Sequence, residues 1–306
     1  MKKISVVIPV YNEQDNVPLL ILALKKVFAA LPYNYSLIFV DDGSTDDTIN
    51  VLKELSQQND NIFFINFSRN FGHQNALKAG VDLADGDCII SMDGDLQHPP
   101  ELLPTILHKW EEGYDIVYTI RKDHLEMPKM KRKTSQIFYR ILNSLSDIEL
   151  ESGTADFRLI DRKVADVLRT FTEADLFWRG LVKWLGYNQI GIEYEPEERK
   201  RGNSKYTYKM MMQLALKGIT SFSIKPLGIA IYLGFSFSLF SILYLPYALI
   251  SYFYGHTVSG WASLIVTIAF FGGLQLMILG IIGLYLGKLF IQSKQRPHYI
   301  IKESNL

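Results

Sequence analysis

The sequence predicts an α/β domain with a mostly parallel sheet, followed by a membrane-spanning helical hairpin. Three observations predict it. Over residues 4–119, short β-rich apolar runs alternate with amphipathic helical stretches, the pattern of a parallel sheet with helices on both faces. Three of those runs end in polar clusters, at Asn12 and Glu13, Asp41 and Asp42, and Asp93 and Asp95. Such a sheet brings strand ends to one edge, where open α/β sheets bind ligands. Finally, residues 226–287 contain no Asp, Glu, Lys or Arg, a length that fits two spans of about 20 residues each and a short turn.

The elements follow in order. Ile4–Pro9 reads as the first strand, and an amphipathic helix runs from Gln14 to Ala30. Tyr35–Val40 is the second strand, and Asp46 is placed to cap a helix reaching Gln58. Asn61–Asn66, a helix over Gln74–Ala84 and the strand Gly86–Met92 come next. A helix over 100–112 opens at Pro99 and Pro100, where a missing N–H costs nothing, and a strand over 114–119 completes the alternation. Thr134–Ser146 reads as a helix and Gln189–Tyr194 as a further strand. Tyr206–Ile224, with Lys209 and Lys217 among methionines and leucines, reads as an amphipathic helix lying on a membrane surface.

The domain boundaries expected are a cytosolic unit over 1–205, the juxtamembrane helix over 206–225, two spans within 226–290 and a cytosolic tail over 291–306. The spans fall near Leu227–Tyr252, which Pro246 should kink, and Trp261–Gly287. Lys217 and Lys225 precede the pair, and Lys288, Lys294 and Arg296 follow it, so the positive-inside rule puts both termini in the cytosol. Tyr244, Tyr247, Tyr252, Phe253, Tyr254 and Trp261 would form the outer aromatic belt. Met1-Lys2-Lys3 is followed by no long apolar stretch, so the N-terminal part should stay cytosolic.

Composition bounds the chemistry. The 306 residues carry zero formal net charge, which argues against a general nucleic-acid binder. One cysteine, Cys88, excludes an internal disulfide and lies in an apolar strand run, as a buried small residue would. The first strand is followed by Val10-Tyr11-Asn12-Glu13 with no glycine, so a dinucleotide fingerprint is absent, and there is no Walker-type loop. Asp93 and Asp95, one residue apart after a strand, repel each other unless a cation lies between them. Hard oxygens suit Mg²⁺ or Mn²⁺, which share their coordination with substrate phosphates. A plain Asp-Gly turn uses the same residues.

The runs Val7–Glu13, Val40–Asp46 and Asp93-Gly94-Asp95 resemble a family 2 glycosyltransferase of GT-A fold. More narrowly, Asp93–Glu101, Arg69–His73, Asp156–Leu159 and Arg199–Tyr206 resemble the polyprenyl-phosphate glycosyltransferases. That group includes dolichol-phosphate mannose synthases and bacterial undecaprenyl-phosphate (bactoprenol) glucosyltransferases, and the twin spans match the latter. The resemblance implies that Pro9, Tyr11, Glu13 and Asp42 hold the nucleoside, with Asp42 near the base and Glu13 near the ribose. It implies Asp93 beside ribose and metal, Asp95 on the metal directly, and Gln97 as a further ligand. Arg199, Ser204 and Lys205 match phosphate-contacting residues, although a solvated charge run reads the same way.

Asp156 corresponds to the family's proposed catalytic base. A phosphomonoester has a second pKa near 6, so the acceptor needs little deprotonation and Asp156 is better read as orienting it; a salt bridge with Arg158 or Arg121 is the plainer alternative. The basic stretch over 120–133 follows the fifth strand and suits a flap that closes on phosphates, with Arg121 touching one. Arg69 could meet phosphate or cap a turn, Lys78 reads as a solvated face, and His73 and His98 as polar pocket walls or helix caps. The motif Gln-x-x-Arg-Trp of processive synthases is absent at Leu176–Leu181, which favours a single transfer. The resemblance thus implies an inverting, metal-dependent transfer of one sugar, from UDP-glucose, to undecaprenyl phosphate at the cytoplasmic membrane. GDP-mannose, a UDP-amino-pentose or a processive synthase subunit are the alternatives. The family's two-helix members imply a homo-oligomer, with a tetramer as one form.

Overall fold

The computed structural model describes residues 1–122, 143–144, 151, 153–173, 176–195, 218–255 and 260–306. Eight strands form one sheet: β1 (Lys3–Val10), β2 (Asn34–Asp41), β3 (Ile62–Phe67), β4 (Cys88–Ser91), β5 (Ile116–Arg121), β6 (Thr154–Asp161), β7 (Gln189–Tyr194) and β8 (Ile301–Ser304). Their order across the sheet is β7-β5-β6-β4-β1-β2-β3-β8. The pairs β1–β2, β2–β3, β1–β4 and β5–β7 are parallel, whereas β6 runs antiparallel to β4 and β5, and β8 antiparallel to β3.

Strands this apolar are covered on both faces. Along β1, Ile4, Val6, Ile8 and Val10 enter one core with Leu20 and Leu24 of α1 (Asn16–Phe28), Leu52 of α2 (Thr48–Gln57) and Ile106 of α4 (Leu103–Glu111). Val7 enters the other, with Leu77 and Val81 of α3 (His73–Leu83), Val164 of α5 (Arg162–Arg169) and Leu181 of α6 (Trp178–Trp184). The expected strands and helices over 4–119 appear within a few residues of their forecast ends, with the fourth strand cut to Cys88–Ser91 and a 3₁₀ turn, Pro100–Leu102, preceding α4. Asp46 does bond the start of α2: its Oδ1 accepts from the Thr48 N–H at 3.1 Å and the Thr48 hydroxyl at 2.6 Å. Cys88 is fully buried, and burial pushes its thiol pKa up.

Two helices follow, α7 (Lys225–Phe253, containing Pro246) and α8 (Trp261–Ser293). Each has an apolar stretch long enough to cross a membrane, Lys225–Tyr244 and Ser263–Ser293, and most of their described side chains are exposed, as lipid-facing ones would be. At 1.5 Å per residue α8 alone is about 50 Å long. Their ends nearest the sheet are tied in. The Tyr285 hydroxyl donates to the Ser223 carbonyl at 2.7 Å, Lys288 Nζ to the Ser221 hydroxyl at 3.0 Å, and Gln292 Nε2 to the Thr172 carbonyl at 3.0 Å. The forecast juxtamembrane helix is seen only in its last turn, residues 218–222; the rest of it, the 134–146 helix apart from residues 143–144, and most of the basic stretch lie outside the described residues.

The segment after α8 differs from a free tail. It returns to the sheet as β8, where Asn66 Nδ2 donates to Glu303 Oε1 at 2.9 Å and the Phe64 N–H to Asn305 Oδ1 at 2.6 Å. Tyr299 stacks on Phe67 with centroids 5.3 Å apart and donates its hydroxyl to Asp82 at 3.1 Å. Four residues are too short for periodicity to mark a strand, and only β3's unpaired edge explains this one.

Candidate active site

The chain order reverses direction between β1 and β4, which makes their carboxyl ends the switch point where α/β sheets open a crevice. Asn12 and Glu13 leave β1 there, and Asp93 and Asp95 leave β4. The loops are laced together. Asn12, at φ +57°, accepts the Thr45 N–H on its Oδ1 at 2.8 Å and donates its own N–H to the Ser44 hydroxyl at 2.9 Å. The Glu13 N–H donates to Thr48 Oγ1 at 2.9 Å, and its carboxylate accepts from Asn16 at 2.5 Å. Pro9 is buried in β1 and Tyr11 is exposed beside it.

Asp42 does something the sequence did not announce. Its buried carboxylate accepts the Phe71 N–H at 2.6 Å and the Gly72 N–H at 2.9 and 3.1 Å, tying β2 to the loop that opens α3. Burial raises its pKa against the pull of those bonds. Gly43, at φ +69°, lets the same turn press on that loop: a Cβ there would lie 2.5 Å from the Arg69 carbonyl carbon. Arg69 itself lies over the Phe71 ring at 4.2 Å and donates to the Asn70 carbonyl, a local turn arrangement.

The loop so anchored delivers His73. Its Nε2 lies 2.8 Å from Asp93 Oδ1; burial opposes its charge, but that hydrogen bond and charge raise its pKa to about 9. Burial would lift Asp93, yet His73 holds it below the usual carboxylate range. His98 is the neutral counterpart. It is buried, stacks on Phe157 at 5.1 Å and accepts the Asp93 N–H on Nδ1 at 3.1 Å, which assigns its proton to Nε2. Burial pushes its pKa down.

Asp95 is partly buried and accepts the Gln97 N–H at 3.2 Å. The Gln97 amide oxygen accepts from Arg121 NH2 at 2.6 Å, so the basic residue expected to touch phosphate sits against the expected third ligand. Among the described residues no three His, Cys, Asp or Glu side chains group to hold a metal by themselves. The two carboxylates suit a hard cation whose remaining positions are filled by substrate oxygens; the Gln97 amide oxygen could join them only after Arg121 releases it.

The largest departure from the sequence reading is β6. Its alternation sends Ala155, Phe157 and Leu159 into one core and Ile160 into the other, with Asp156 and Arg158 on the Ile160 face. Asp156 is 7% exposed, and two arginines clamp it: Arg179 donates Nε to Oδ1 at 3.1 Å and NH2 to Oδ2 at 3.0 Å, and Arg158 NH2 approaches Oδ1 at 3.3 Å. Burial alone would raise the Asp156 pKa, but the two guanidiniums pull it far below the usual range. Arg158, desolvated by its own burial, is pushed down to about 10 and stays charged at neutral pH. The expected Arg158 partner is present, Arg121 is not among Asp156's hydrogen-bond partners, and Arg179, on the separate helix α6, is a partner that no local sequence pattern marks.

Lys78, expected on a solvated face, is buried instead. It pairs with Asp82 and donates to the Arg169 carbonyl at 3.3 Å, because α5 covers that side of α3. Arg199, Ser204 and Lys205 lie outside the described residues.

The match to known proteins now bears on this geometry. The model of the family described as Glycosyl transferase family 2 matches residues 5–169, more than half of the chain and all the strand ends above. The chain belongs to glycosyl transferase family 2. Membership makes it a glycosyltransferase and the sheet a GT-A fold. It is 44% identical over 301 residues to the Uncharacterized glycosyltransferase YkcC of Bacillus subtilis (strain 168), covering 98% of this chain and 93% of that one. It is 38% identical to the Bactoprenol glucosyl transferase of Shigella phage SfV, covering 98% of each. Among solved structures, the mannosyltransferase PcManGT from Pyrobaculum calidifontis, in complex with GDP-Man and Mn²⁺, aligns over 96% of this chain and 86% of its own with a TM-score of 0.50 at 14% identity, a likeness of fold.

Proposed function

We propose that this family 2 glycosyltransferase moves one sugar from a nucleotide donor, UDP-glucose, to a polyprenyl phosphate held in the adjoining membrane. The observation that carries the reading is the seam between pocket and hairpin. Asp156 bonds Arg179 of α6, while the flanking Phe177 and Gly180 pack on Phe222, three residues before α7. A lipid-borne phosphate entering along that seam meets the strand ends without leaving the bilayer. The near full-length relatives named bactoprenol glucosyl transferases support the same acceptor class.

In this reading the nucleoside lies over Pro9, Tyr11 and Glu13, walled by the loop that Asp42 fastens. Asp93 and Asp95, with the Gln97 amide close by, would hold Mg²⁺ or Mn²⁺, which neutralises charge on the departing diphosphate. Arg121, and Arg199, Ser204 and Lys205 from the basic segments, steady phosphates. The acceptor phosphate oxygen forms a bond to the anomeric carbon as the bond from that carbon to the diphosphate oxygen breaks. The electron pair leaves with the diphosphate, and configuration inverts. His73 keeps Asp93 ionised and fixed. With Lys225 before the spans and Lys288 after them, the catalytic side faces the cytosol, and the exposed hairpin offers a surface for self-association.

Membranes containing the protein, given undecaprenyl phosphate and a panel of radiolabelled nucleotide sugars, test it. UDP-glucose label is expected to become organic-soluble. Label from GDP-mannose or a UDP-amino-pentose would change the donor, and no organic-soluble label from any of them would end the proposal.

A further inference from the structure

Asp156 occupies the place where a proton acceptor is expected, yet its surroundings suit a different task. Both of its oxygens are engaged by guanidinium groups, and it is buried. A carboxylate held this way is a poor base, because taking a proton would sacrifice charge-assisted hydrogen bonds to two cations. The acceptor, already largely a dianion near neutral pH, has no proton that must be removed. What the cluster has in surplus is positive charge: two guanidiniums face the Asp156 carboxylate, and the nearby Asp93 carboxylate is already matched by His73 at 2.8 Å.

The two arginines are not equivalent. Arg158 is 6% exposed at its side chain and donates to the Ala155 carbonyl at 3.0 Å, so it belongs to the sheet. Arg179 is 31% exposed at its side chain and reaches Asp156 from a separate helix. Bidentate contact through Nε and NH2 fixes the plane of its guanidinium. Its neighbours in sequence fix where that plane stands. The Phe177 ring lies 6.0 Å from that of Phe222, and a Cβ on Gly180 would fall 2.5 Å from the Phe222 ring, so α6 is pressed against the turn that leads into α7. Arg179 therefore stands between the strand ends and the point where the chain enters its spans.

We propose that Arg179 binds the phosphate of the acceptor, and that Asp156 is the positioning residue that aims it rather than the group that takes up a proton. This rests on the acceptor class proposed above. Arginine suits the task, since its planar donor fork matches a phosphate and keeps its charge at any working pH. In the transfer itself no proton changes hands: the phosphate oxygen bonds to the anomeric carbon, and the diphosphate departs with the electron pair of the broken bond.

The test uses the full chain in detergent, with farnesyl phosphate and UDP as separate probes, and compares wild type with Arg179→Gln, Arg179→Lys, Asp156→Asn and the double variant Asp156→Asn/Arg179→Gln. Thermal unfolding of each confirms that it is folded, and Arg179→Lys retains the charge if Arg179→Gln does not fold. Arg179→Gln is expected to weaken farnesyl phosphate at least tenfold and UDP less than twofold, with Arg179→Lys intermediate. Asp156→Asn should weaken farnesyl phosphate less, and the double variant should match Arg179→Gln alone, because the carboxylate acts through the arginine. In turnover the acceptor KM should rise more than kcat falls.

Unchanged farnesyl phosphate affinity in Arg179→Gln overturns the proposal. So does a double variant whose losses multiply, or an Asp156→Asn enzyme with normal acceptor affinity and no kcat. A wild-type protein that binds UDP but no farnesyl phosphate, and forms no lipid-linked sugar, refutes the acceptor reading instead, and this assignment falls with it.

Discussion

Asp42 offers a perturbation whose size follows from the contacts it makes. Its carboxylate satisfies the amides of Phe71 and Gly72, with three contacts between 2.6 and 3.1 Å. Asp42→Ala would leave both amides without that acceptor, each costing about 1–3 kcal/mol, while relieving the desolvation of a carboxylate whose pKa burial has already raised. The net loss should be about 2–4 kcal/mol. Asp42→Asn keeps one oxygen for Phe71 but turns an NH2 toward the Gly72 N–H, and should cost about 1–2 kcal/mol. For a chain of this size each kcal/mol lowers Tm by about 2–4 °C. Thermal unfolding in detergent, alongside UDP binding by calorimetry, measures both consequences at once. Weaker UDP binding should appear together with a lowered Tm, because the loop that carries His73, proposed above to wall the nucleoside, has been released. An Asp42→Asn protein with unchanged Tm but tenfold weaker UDP binding would refute the reasoning: the carboxylate would then act on the base and not on the loop.

Three further outcomes are expected. Asp95→Ala should leave thermal unfolding within about 1 kcal/mol, as for other partly exposed substitutions, yet cut Mg²⁺- or Mn²⁺-dependent transfer at least about a hundredfold, several kcal/mol of lost charge stabilisation; normal turnover with added Mg²⁺ would remove the cation from the scheme. Asp156, held below the usual carboxylate range by Arg179 and Arg158, stays ionised across the working pH range, so the acid limb of the kcat/KM profile should lie at about pH 6, where the proposed acceptor phosphate gains its proton, while an alkaline limb follows as His73 loses its proton at about pH 9. The acid limb should survive in Asp156→Asn, and its disappearance there would make the carboxylate the titrating group. Tyr299→Phe should lower stability by about 1 kcal/mol through the lost Asp82 hydrogen bond, and Tyr299→Ala by about 3 kcal/mol once the stack on Phe67 goes too. Unfolding curves and proteolysis of the C-terminal segment report both.

How much of this was legible depends on whether a residue's partners are local. The alternation over 4–119 gave the parallel half of the sheet, because each strand and the helix after it carry their own periodicity. The strand ends at Asn12, Asp42 and Asp93 followed from the same regularity. β6 was read as a charged motif because Asp156 and Arg158 dominate it, although Ala155, Phe157 and Leu159 hold a two-residue period around them that would have marked a strand. His73 and Arg179 carried no such signal. Their meaning arises from contacts spanning 20 and 23 residues, which only the folded chain creates. Lys78 misled for the opposite reason: its helix looked exposed until a later helix covered it.

The returning strand β8 has a consequence for how this protein matures. The ribosome makes the spans before it makes Ile301–Ser304, so β3 leaves the exit tunnel with a bare flank and waits for it. A chain whose hairpin lodges correctly delivers the missing strand to that flank, whereas one stalled before insertion offers an unguarded β-edge to any neighbour. In the membrane topology proposed above, integration of the hairpin would thereby be the step that seals the sheet against aggregation.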